Sequence, residues 1–144
     1  MLTIERLSGP FGSEITGLDL NTEPDSATFD KIVEALHRHA VICIRGQQSL
    51  TPEKHIAFSK RFGELEVHVQ SSFNLDGYPE IYCITNCVDE KGDALGLAEA
   101  GRVWHTDLSY MREPSRCSLL HALEVPVDED GNPLGDTLFA SCTM

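Results

Sequence analysis

Gly101-Arg102-Val103-Trp104-His105-Thr106-Asp107-Leu108-Ser109-Tyr110-Met111 places a histidine and an aspartate two residues apart, directly after the chain's one tryptophan. The run is strand-like, with β-branched and aromatic residues around the pair. On a strand, residues i and i+2 project to one face, about 6 to 7 Å apart along the chain. An imidazole and a carboxylate so placed can converge on a single ion. Both suit non-haem ferrous iron, whose usual site is two histidines and one carboxylate on one face of an octahedron, with the other face open. The spacing alone is not specific: with six histidines in the chain, roughly 0.4 such pairs arise by chance, and a surface His–Asp hydrogen bond is the plain alternative. Trp104 falls on the opposite strand face and reads as core packing.

The surrounding chain narrows the choice. At 144 residues it has the length of one domain, and 41% hydrophobic with 24% charged residues is ordinary for a globular protein. The net charge of −12 argues against nucleic acid or an anionic membrane as partner, since both need a cationic surface to replace counterions. No apolar run is long enough to cross a bilayer, and the start lacks the basic-then-apolar pattern of a secretion signal. The five cysteines are scattered; Cys83 and Cys87 are the closest pair, and their spacing is not that of a zinc knuckle or redox motif. They read as reduced thiols packed as small hydrophobes in a cytoplasmic protein.

From the N-terminus, Leu2 to Leu20 alternates apolar and polar positions, which predicts two short strands around a turn at Gly9-Pro10. A helix follows, capped by Asp25 or Ser26, with Phe29, Ile32, Val33 and Leu36 on one face. Ala40 to Gly46 is short, β-branched and apolar, so a buried strand is expected. A second helix begins at the Thr51 cap and Pro52, presents Ile56, Ala57, Phe58 and Phe62, and ends at Gly63. Beyond it the segments I-Y-C-I-T, R-V-W-H-T-D-L-S-Y, S-L-L-H-A-L-E-V and D-T-L-F-A-S are all strand-like, separated by Gly, Pro, Asp and Asn. No repeats and no low-complexity tract are expected. His37 and His39 fall at a helix end, where imidazole complements the dipole. His55 is expected on the helix surface, and His121 in packing or a hydrogen bond.

Several ordered segments resemble the taurine and 2,4-dichlorophenoxyacetate dioxygenase family: G-S-E-I-T-G-L-D-L, H-A-V-I-C-I-R-G-Q-Q-S-L-T-P-E-K-H-I-A-F-S-K-R-F-G-E-L, W-H-T-D-L-S-Y, E-P-S-R-C-S-L-L-H-A-L-E-V-P and G-D-T-L-F-A. The resemblance implies an α+β chain: a double-stranded β-helix (jelly roll) with an N-terminal α/β segment, present here as an incomplete barrel. It also implies Fe(II) as cofactor and 2-oxoglutarate as cosubstrate. Carried over position by position, His105 and Asp107 become two metal ligands. Thr137 becomes the donor to the 2-oxoglutarate carboxylate, and His68 a substrate-binding residue. Two positions depart from the taurine enzymes: Ser71 replaces an aromatic residue after His68, and Gly101 replaces an asparagine before the Trp-His pair. Both point away from taurine.

The family's third iron ligand is a downstream histidine, followed by an arginine for the distal carboxylate of 2-oxoglutarate. The seven residues after Thr137 include neither. Residues 1–144 are therefore expected to be the N-terminal part of a single dioxygenase domain. Alone they should be inactive and prone to associate as a homo-oligomer through open sheet edges. For the whole enzyme, the resemblance implies hydroxylation of a small organic substrate by O₂, with release of succinate and CO₂. Two other classes remain: a non-catalytic pseudoenzyme or interaction module, and a cupin-like metabolite binder whose ligand is indifferent to iron.

Overall fold

The structure is a computed structural model that describes residues 1–69 and 71–142. Its ordered heart is an α/β unit at the N-terminal end. Strand β1 (Thr3–Arg6) pairs antiparallel with β2 (Ser13–Thr16), and β2 pairs in parallel with β3 (Ile42–Ile44), in the order β1-β2-β3. The expected turn at Gly9-Pro10 joins the first two. Helix α1 (Ser26–His39) makes the crossover that parallel pairing requires. Asp25 caps it, accepting from the Thr28 N–H at 2.7 Å. That hydrogen bond holds the Asp25 carboxyl below its ordinary value.

Alternation on β2 turns Ser13 and Ile15 inward, both fully buried. From α1, Phe29, Ile32 and Ala35 meet this face at helical spacing. Helix α2 (Pro52–Lys60) starts at the expected Thr51 cap and closes the core with Phe58. Phe29, Phe58 and Phe62 form an edge-to-face triplet with centroids 4.9 to 6.1 Å apart. The Arg61 guanidinium lies 3.9 Å over the Phe29 ring. Strand β3 is only half-buried, because it forms the sheet's edge. Gln47 ties the loops together: its side-chain amide donates to the Leu18 and Arg45 carbonyls and accepts from the Leu20 N–H.

The region after α2 departs from the expected succession of strands. One hairpin forms, β4 (Asn74–Leu75) with β5 (Tyr78–Tyr82), overlapping the start of I-Y-C-I-T. No described strand follows Tyr82, so R-V-W-H-T-D-L-S-Y, S-L-L-H-A-L-E-V and D-T-L-F-A-S are not strands. Their composition suits a pleated surface, but a strand is completed by ladder hydrogen bonds to a neighbour, and no described strand lies beside them. The mixed α+β character is observed as sheets of three strands and two.

Trp104 is 71% exposed rather than packed in the core. An internal repeat, not anticipated from the sequence, is present as well. Val88-Asp89-Glu90-Lys91-Gly92-Asp93-Ala94-Leu95-Gly96 and Val127-Asp128-Glu129-Asp130-Gly131-Asn132-Pro133-Leu134-Gly135 fold into the same tight loop. In each, the aspartate after valine accepts from two backbone N–H groups, and the central glycine sits at φ 89° or 83°.

An extended strap, Arg116–His121, crosses back onto the α/β unit. Leu119 packs against its core, His121 Nε2–H donates to the Gln47 carbonyl at 2.9 Å, and Arg116 donates to His37 Nε2 at 3.0 Å. The His121 ring meets His55 edge-on, with centroids 5.8 Å apart. His55 is thus half-buried under the strap rather than on an open surface. Burial, with His121 adding to it, lowers its pKa from the ordinary 6.5. A histidine with a lowered folded-state pKa takes up fewer protons than the unfolded chain, so stability is full above about 6.5 and declines as pH falls below it. Urea midpoints should therefore drop between neutral pH and about pH 5, and drop less in His55→Gln. An equal decline in that variant would remove His55 from the account.

Candidate metal centre

His105 and Asp107 lie in an irregular segment that turns sharply after the aspartate. Leu108 takes a left-handed backbone, φ 49°, and the Met111 N–H closes the turn on the Leu108 carbonyl at 3.0 Å. A non-glycine residue there costs about 1–2 kcal/mol, and the strain reverses the chain immediately behind Asp107. Although no strand aligns them, the two side chains meet, with His105 Nε2 3.3 Å from Asp107 Oδ1. Both are about half exposed, at 52% and 49%.

Their other polar atoms are engaged. His105 Nδ1 lies 2.8 Å from the Val103 carbonyl. A carbonyl can only accept, so Nδ1 carries the proton and the Nε2 of a neutral ring presents its lone pair. Asp107 Oδ2 accepts from the Ser118 hydroxyl at 2.6 Å. A nitrogen lone pair therefore faces a carboxylate oxygen, an arrangement that repels unless a proton or a metal cation sits between them. Two ligand atoms at right angles on an ion, each about 2.1 Å away, are about 3.0 Å apart. The 3.3 Å separation is close to that of two adjacent positions on one cation, and both residues have the outer hydrogen bonds that metal-binding histidines and carboxylates ordinarily have. Among the described residues, no group of three or more His, Cys, Asp or Glu side chains could hold a metal ion.

Thr137 is exposed, in an irregular stretch after the second repeat loop. His68 is half-buried against Tyr82 of β5, ring centroids 4.5 Å apart. Among the described residues, the Tyr82 hydroxyl and the Asn74 side-chain oxygen are buried without a hydrogen-bond partner. Sequence reasoning passed over Ser118 and the Val103 carbonyl. Ser118 stood in the S-L-L-H motif, yet nothing in its spacing announced contact with a residue eleven positions earlier.

The family described as "Taurine catabolism dioxygenase TauD, TfdA family" matches residues 3–143. Among curated relatives, pentalenolactone F synthase of Streptomyces avermitilis is 28% identical over 97% of this chain and 46% of its own length. The alpha-ketoglutarate-dependent sulfate ester dioxygenase of Pseudomonas putida is 28% identical over 97% of this chain and 42% of its own. A solved structure, a putative alpha-ketoglutarate-dependent taurine dioxygenase from Burkholderia xenovorans, superposes with a TM-score of 0.62 at 32% identity. It covers 79% of this chain and 37% of that one. The chain therefore spans less than half the length of these proteins and corresponds to their N-terminal part.

Proposed function

Because the chain belongs to the taurine catabolism dioxygenase (TauD, TfdA) family, we propose that it forms the N-terminal part of an Fe(II)- and 2-oxoglutarate-dependent oxygenase domain. The complete enzyme hydroxylates a small organic substrate with O₂, releasing succinate and CO₂. His105 and Asp107 supply two of the iron ligands, and Thr137 orients the 2-oxoglutarate carboxylate. His68 contacts substrate. A further histidine and an arginine from outside residues 1–144 complete the centre, and a double-stranded β-helix is the fold of the complete domain.

The observation that carries this reading is the approach of His105 Nε2 to Asp107 Oδ1 at 3.3 Å, with the remaining nitrogen and oxygen already hydrogen-bonded. Bound iron would supply the oxidising chemistry. The protein's part is to keep His105 in the Nε2-accepting tautomer and to keep Asp107 aimed. His68, half-buried against the Tyr82 ring, offers a polar group for a substrate.

The test uses the product of the whole reading frame that contains this segment. With Fe(II) and a suitable substrate, 2-oxoglutarate should be converted to succinate, and a chelator should abolish the conversion. Binding or turnover indifferent to iron and chelator would overturn the proposal and favour a metabolite binder.

A further inference from the structure

Building on the iron reading above, we infer that Ser118 is a positioning residue that makes Asp107 a one-oxygen ligand and keeps a coordination position free beside it. A carboxylate can bind a cation through one oxygen or both. Which it does depends on what else its oxygens contact. The Ser118 hydroxyl donates to Oδ2 at 2.6 Å, the short length of a charge-assisted O–H···O⁻ bond. Oδ1 is left facing His105 Nε2. A cation between His105 and Asp107 therefore meets one carboxylate oxygen, because the second is held by the serine. Were Oδ2 released, it could swing onto the ion and occupy a position that a small ligand needs.

The chain holds Ser118 in place without any contribution from the metal. In the strap, burial alternates as extended backbone dictates: Cys117, Leu119 and His121 are half-buried against the α/β unit, while Arg116, Ser118 and Leu120 are exposed. Leu119 packs on the core, and His121 donates to the Gln47 carbonyl. With those neighbours anchored on one face, Ser118 must project from the other, where Asp107 lies. The N-terminal unit, far from the Trp-His-Thr-Asp segment in sequence, thus sets the orientation of a metal ligand through a single hydroxyl.

The experiment titrates Mn(II) into the product of the whole reading frame that contains this segment and counts waters on the bound ion from water-proton relaxivity. His105→Ala measures and subtracts ions held elsewhere on the acidic surface. Ser118→Ala should leave one water fewer on the bound ion, as Oδ2 takes its position, and Ser118→Thr should restore the wild-type number. The amide shift of His121, whose ring donates to the Gln47 carbonyl, reports that the strap stays docked, and it should not move in Ser118→Ala because that side chain points away from the core. An unchanged water count in Ser118→Ala, or the same loss in Ser118→Thr, overturns the inference while leaving the metal site intact. If wild type and His105→Ala bind Mn(II) alike, the metal reading itself fails and the inference falls with it.

Discussion

Phe29→Ala should cost about 3–5 kcal/mol, the usual toll for removing a buried phenylalanine from a packed core. That is a large part of the roughly 5–15 kcal/mol available to a folded domain, so the variant should unfold at a much lower urea concentration. The expectation rests on position. Phe29 is 9% exposed, meets Phe58 and Phe62 edge-to-face, and lies under the Arg61 guanidinium. Truncation removes apolar area, two aromatic contacts and a cation–π contact together, and α1 and α2 cannot collapse into the gap without displacing Ile32 or Phe58. Urea unfolding followed by far-ultraviolet circular dichroism measures the change. Trp104→Ala is the counterpart: the ring is 71% exposed, so its loss should shift stability by no more than about 0.5 kcal/mol. A large loss at Trp104 and a small one at Phe29 would mean the core has been assigned to the wrong half of the chain.

Asp107→Asn should weaken divalent-metal binding by more than about a hundredfold, beyond the 10- to 100-fold that loss of an outer partner costs a metal site. The substitution keeps the shape of the side chain and removes the charge that offsets the cation. In the absence of metal the effect reverses. The new amide can donate to the lone pair on His105 Nε2, which now faces a carboxylate oxygen at 3.3 Å. Where the ring is neutral this contact gains a hydrogen bond, and there the metal-free variant should unfold at a urea concentration no lower than wild type. Lost binding with undiminished stability is expected of a group placed for function rather than for folding. Mn(II) titration beside urea unfolding measures both. Unchanged binding, or binding and stability lost together, would contradict the assignment.

The sequence was most legible where structure is local. The cap at Asp25, the helix face of Phe29 and Ile32, and the Thr51-Pro52 start of α2 each depend on residues within four or five positions, and each formed as expected. The hairpin at Gly9-Pro10 is local in the same sense. The later strands depended on partners elsewhere, and residues 101–111 show the consequence. A strand-like composition became a turn with Leu108 in the left-handed region and Trp104 in solvent. The repeat loops were missed for another reason: six matching residues of nine are too few to stand out until two equivalent sets of backbone hydrogen bonds reveal them.

By itself the sequence determined the family, the α/β beginning and the identity of two metal-suited side chains, because ordered motifs and short-range periodicity are written directly in the chain. Tertiary structure decided how the pair is arranged. It placed a carbonyl behind His105, a serine behind Asp107, and a strap on the Gln47 loop to hold that serine in place. The serine and strap contacts join residues eleven and seventy-four positions apart, and no local pattern encodes a distance that only the folded chain closes.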